Sequence, residues 1–91
     1  MPQVDEKARL FVGSLKYDVS KAQLEEFFSK VGPVQDVYMA LDRTRGEGLN
    51  RGFAFVQMVS AADADKAIRT LDGKPGPGGR RIGVKHANNK P

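Results

Sequence analysis

Residues 51–58 read RGFAFVQM. Successive side chains of an extended strand point to opposite faces. Ala54, Val56 and Met58 therefore share one face, and Arg51, Phe53, Phe55 and Gln57 share the other. Both faces carry apolar groups, yet a chain of 91 residues buries a smaller fraction of its surface than a large protein does. The chain has five phenylalanines, so committing two of them to a second face needs a reason. Either another layer covers these rings, or they are left open to be used.

The flanking sequence predicts what surrounds this strand. ARLFVGS, residues 8–14, alternates Leu10 and Val12 against Arg9 and Phe11, a strand pattern. Ser20 and Gln23 have capping-box spacing, and Leu24, Phe27, Phe28 and Val31 recur at helical intervals. Gly32-Pro33 stops that helix, which spans about 20–31. VQDVYMAL, 34–41, predicts a strand with Val37, Met39 and Leu41 on one face and Tyr38 and Ala40 on the other. The polar DRTRGEGLN that follows is a loop leading into the opening strand. Ser60 with Asp63 starts a second helix, whose Ala64, Ala67, Ile68 and Leu71 form one stripe before Gly73 ends it. KPGPGG, 74–79, is a punctuated turn, and RRIGVKH, 80–86, ends the domain with Ile82 and Val84 on one face. The expected domain is 8–87, with polar, frayed segments at 1–7 and 88–91 that fit excision from a longer chain.

The element order is β-α-β-β-α-β, a split β-α-β, ferredoxin-like α+β sandwich. Each helix sits in a crossover between parallel strands, and such crossovers share one hand. Both helices are thereby expected on the same face of a four-stranded antiparallel sheet, leaving the other face open. Parity assigns Leu10, Val12, Val37, Met39, Ala54, Val56, Met58, Ile82 and Val84 to the covered face. The open set is Arg9, Phe11, Tyr38, Arg51, Phe53, Phe55, Gln57 and Lys85. Asp36 joins it as a lone carboxylate if its strand keeps parity, while Glu25, Glu26, Asp63 and Asp65 belong to the helices.

Rings interleaved with cations suit single-stranded nucleic acid, because every base offers a π-face and every phosphate a charge. A duplex fits poorly, since its bases are already stacked on one another. The net charge of +4 favours polyanionic partners only mildly, so the weight rests on its distribution.

RGFAFVQM resembles the eight-residue signature of the RNA-recognition motif, and LFVGSL, 10–15, is similar to that family's six-residue signature. The resemblance covers about residues 8–87. It implies that Phe11 and Phe55 stack on two successive bases, that Phe53 packs against sugars and that Arg51 meets a phosphate. Met58 stands where the family prefers a ring, and parity turns it toward the core. Tyr38 on the second strand, with Arg9, Gln57, Lys85 and Asn88, completes the expected contact set, and Arg43 and Arg45 in the loop can wrap or steer RNA. The implied partner is single-stranded RNA, with single-stranded DNA as a second candidate, bound by a monomer.

Other functions find less support. With no cysteine and one histidine, His86, neither a disulfide framework nor a zinc site can be assembled, and no cofactor is expected. GPGG, 76–79, lacks the Lys-Ser/Thr of a phosphate-binding loop, and no nucleophile has a paired base, so the chain is not expected to be an enzyme. An acylphosphatase-like enzyme would need an anion-cradling loop with a positioned Arg and Asn, which is missing. The alternative within the family is a protein-binding variant that grips a peptide on its helical face. Glu25 and Glu26 are compatible with it, but DGKPGPGG lacks the phenylalanine of the Arg-x-Phe element. No apolar run approaches the ~20 residues that span a bilayer, and the N-terminus lacks the apolar segment of a secretory signal. An intracellular location is expected, without distinction between nucleus, cytoplasm and organelle.

Overall fold

The computed structural model describes residues 6–41 and 50–87. Strands β1 (Arg9–Gly13), β2 (Val34–Leu41), β3 (Asn50–Met58) and β4 (Gly83–His86) form one antiparallel sheet in the order β2-β3-β1-β4. Helices α1 (Lys21–Ser29) and α2 (Ala61–Leu71) occupy the two crossovers. Phe28 and Leu24 of α1 and Ala64 and Ala67 of α2 join Leu10, Val12, Val37, Ala54, Val56, Met58, Ile82 and Val84 in a single core. Both helices thus cover the face that parity assigned to them. Met58 is fully buried there.

Local chemistry fixes the helix starts. The Ser20 hydroxyl accepts the Gln23 backbone N–H at 3.2 Å, and the Gln23 side chain accepts the Ser20 N–H at 2.9 Å. That reciprocal box satisfies two N–H groups that the first turn leaves without helical partners. Ser60 similarly accepts the Asp63 N–H at 3.2 Å while its hydroxyl donates to the Asp63 carboxylate at 2.9 Å. Beyond α2, Gly73 takes a left-handed φ of 77°, and its N–H bonds the Ile82 carbonyl at 2.8 Å. Residues 74–82 then double back through an isolated bridge between Pro75 and Arg81, so Ile82 precedes the ladder of β4.

Three details depart from simple alternation. The β2–β3 register shifts between Val34 and Asp36, so one residue too many, Gln35, stands in β2. This bulge turns Val34 toward the core and Gln35 to solvent, where an unbroken alternation would do the reverse. A second shift lies between Met39 and Leu41, opposite the stretch of β3 that holds Gly52 at a φ of 98°. Leu41, expected beside Val37 and Met39, is instead 51% exposed, at the rim of an open groove with Val19 and Lys21. At the amino end, Glu6–Ala8 forms a 3-10 turn and Ala8 is fully buried in the core, so ordered structure starts ahead of residue 8.

Asn50 closes the polar DRTRGEGLN segment in sequence, yet it belongs to the sheet. It is fully buried and opens β3. Its side-chain amide donates toward the carbonyls of Lys16, Tyr17 and Val19 at 2.9, 3.1 and 3.1 Å. Its side-chain oxygen accepts the Gly52 N–H at 2.6 Å. Asn50 therefore ties the segment between β1 and α1 to the start of the strand that carries Phe53 and Phe55.

Candidate nucleic-acid interface

The central strands β1 and β3 set the geometry of the open face. Phe11 lies directly opposite Phe55, and Gly13 opposite Phe53. The Phe11 ring is stacked with Phe53 at 5.8 Å between centroids and 24° between planes. It meets Phe55 edge-on at 5.6 Å, and Phe53 and Phe55 meet edge-on at 6.2 Å. A side chain at position 13 would begin 3.0 Å from the Phe11 ring, so glycine there leaves that ring its place. Each of the three rings is half-buried and touches the other two, and the helices are on the far side of the sheet.

Cations and Tyr38 surround this cluster. Lys85 of β4 pairs with Phe11 across the sheet and holds its ammonium 5.4 Å from the ring centroid, a cation–π contact. Arg51 is exposed at the start of β3. Tyr38 pairs with Phe55 and is 58% exposed, extending the aromatic surface onto β2. Arg9, Tyr38, Phe55 and Ala87 together line a shallow depression. The structure thus brings Phe11, Phe53, Phe55, Tyr38, Arg9 and Lys85 onto one face, with Arg51 exposed beside the irregularity at Gly52. Asn88, Arg43 and Arg45 lie outside the described residues.

Gln57 keeps its expected face, opposite Arg9 and Asp36, but is covered there. Alternation puts it on the open face, but only 3% of it is exposed. Arg9 is its cross-strand partner and donates from Nε to the Gln57 Oε1 at 3.3 Å, while Gln57 Nε2 donates to the Met58 carbonyl at 3.2 Å. Gln57 therefore supports Arg9 from below.

Asp36 is opposite Gln57, so the bulge leaves it on the open face with Tyr38. Its carboxylate accepts the Val37 N–H at 2.8 Å, Lys21 is 4.0 Å away, and Tyr38 is its neighbour on the same face. The backbone bond chiefly, then the side-chain interaction with Tyr38, holds the Asp36 carboxyl below its ordinary value. The same side-chain interaction, reinforced by the carboxylate charge, raises the Tyr38 phenol above its own. A lowered carboxyl adds stability that is present above the unfolded value and lost as pH falls through the folded one. A raised phenol adds stability that is lost only as pH climbs past its folded value. Removing the carboxylate with Asp36→Ala should therefore move Tyr38 ionisation to lower pH, followed through its NMR ring resonances. An unchanged Tyr38 titration would mean that the pair does not form in solution.

Residues 10–82 match the family model described as the RNA recognition motif. The chain belongs to this family. Among similar proteins, the chloroplast 33 kDa ribonucleoprotein of Nicotiana sylvestris is 42% identical over 79 residues, covering 87% of this chain and 24% of the relative. The mitochondrial Glycine-rich RNA-binding protein 3 of Arabidopsis thaliana is 39% identical over 83 residues, 91% of this chain and 26% of the relative. The chain thus spans about a quarter of the length of these relatives. Among solved structures, the RNA recognition motif of Rna15 with bound RNA (GU) superposes with a TM-score of 0.78 at 28% identity, covering 89% of this chain and 83% of that one.

Proposed function

We propose that this RNA recognition motif is a noncatalytic module that holds a few nucleotides of single-stranded RNA on the open face of its sheet. The observation that carries this reading is the half-buried cluster of Phe11, Phe53 and Phe55 on the face opposite both helices. Bases of any identity stack on such rings. Phe11 and Phe55 are the base platforms, Phe53 packs against the sugars between them, and Tyr38 extends the surface toward the sheet edge. Arg9, Arg51 and Lys85 meet the phosphates. Single-stranded DNA offers the same bases and phosphates and serves as the comparison ligand. Groups of three or more His, Cys, Asp and Glu side chains suited to a metal ion are absent among the described residues, and the proposed binding uses no cofactor.

NMR titration with short single-stranded RNAs tests the location. Amide shifts should centre on β1 and β3 and include Tyr38. Shifts confined to the helices would overturn the assignment of the face. Salt dependence tests the phosphate contacts independently. Three cations each neutralising one phosphate predict a log–log slope of roughly −2, at about −0.7 per contact on a single strand. Affinity that is flat between low and physiological salt would rule those contacts out.

A further inference from the structure

Asp36 is the one carboxylate among the described residues of an otherwise cationic binding face. A negative group repels phosphate, so a surface that only gripped the RNA backbone would gain nothing from it there. With Arg9, Gln35, Tyr38 and Gln57 it lines a cleft at the β2 side of the platform. Arg9 and Tyr38 also line the depression over Phe55, so the two hollows adjoin. A base lying on Phe55 or Tyr38 can therefore present its edge to the cleft. Gln57 is the buried support of this cleft, and its bond from Arg9 Nε places that guanidinium beside it.

The hydrogen-bonding capacity left in the cleft is specific. A carboxylate offers about four acceptor positions. The Val37 N–H occupies one position on Asp36, whose side chain is still 44% exposed. What remains is acceptor capacity on Asp36 beside the donors of Arg9.

Resting on the reading of the open face as an RNA surface, we propose that this cleft selects guanine. The Asp36 carboxylate accepts the adjacent N1–H and N2–H of the base, and the Arg9 guanidinium donates to O6. Guanine alone places two neighbouring donors beside a carbonyl acceptor on its Watson–Crick edge. Adenine and cytosine set a single amino donor next to a bare ring nitrogen, which a carboxylate repels. Uracil has one donor between two carbonyls. Stacking tolerates every base, so the edge contacts supply the choice.

The test compares short single-stranded RNAs that differ at one position, carrying guanine, inosine, adenine, cytosine or uracil. Guanine should bind about tenfold tighter than adenine at the selected position, in the range of a good two-point base contact. Inosine, which lacks the N2 amine, should fall between them. Asp36→Asn keeps an oxygen for the Val37 N–H but replaces the second acceptor with a donor, and it should erase the preference while the melting temperature holds. A guanine preference that persists in Asp36→Asn, or none in the unaltered protein, would overturn the proposal. So would an equal loss for all bases in Asp36→Asn. Phe55→Ala, run beside them, separates the two levels. If it binds every RNA as tightly as the unaltered protein, the sheet itself is not the RNA surface; if it weakens all of them together, only the guanine cleft is at stake.

Discussion

Phe11→Ala and Phe55→Ala should each bind single-stranded RNA roughly five- to a hundred-fold more weakly, because each removes stacking of about 1–3 kcal/mol per base. Both variants should fold. The three rings shield one another, so losing Phe55 also forfeits two ring contacts, at about 0.5–1.5 kcal/mol each. Phe28→Ala provides the contrast. Its ring is fully buried between the helices and the sheet, and truncation there should cost about 3–5 kcal/mol of stability. That is a large share of what a small domain possesses. Thermal melting alongside RNA titration of all three variants separates platform from core. A Phe55→Ala protein that melts as early as Phe28→Ala would place Phe55 in the core and remove it from the binding face.

The second large effect is expected at Asn50, well away from the rings. Asn50→Ala withdraws the amide shared by the carbonyls of Lys16, Tyr17 and Val19, and the acceptor for the Gly52 N–H. Each buried polar group left without a partner costs about 1–3 kcal/mol, so a loss of roughly 2–4 kcal/mol follows. In a domain of this size that lowers the melting temperature by about 10–25 °C. Asn50→Asp restores the acceptor for Gly52 but not the donor, and it should rescue little. A melting temperature for Asn50→Ala close to that of the unaltered protein would show that the latch carries no weight.

Much of this was legible in the sequence, and the exceptions have physical causes. Period-two alternation in β1 and β3 located the rings because both are central strands with regular pairing between Arg9 and Gly13. The capping serines announced both helices because their bonds are local in sequence. What alternation could not show was set by partners far along the chain. The bulge at Gln35 appears only when β2 is laid against β3. The burial of Gln57 on that face depends on Arg9, which bonds it from 48 positions away. Asn50 looked like one more polar loop residue because the carbonyls it bonds lie 31 to 34 positions earlier. At the binding face, the ring positions were readable from the motif, whereas the cleft at Asp36 depends on the register of the edge strand.

The mutual contacts of Phe11, Phe53 and Phe55 also bear on the thermodynamics of association. Immobilising a free side chain at an interface costs about 0.5–1.5 kcal/mol of conformational entropy. Here the rings already restrain one another before any nucleotide arrives. The ordering penalty was met when the chain folded, and a stacking base meets a surface already in its bound shape. Deleting one ring also frees its two neighbours, so the effects of Phe11→Ala and Phe53→Ala on binding should not simply add. The recognition surface behaves as a single unit of three rings, with a rigidity that none of them has alone.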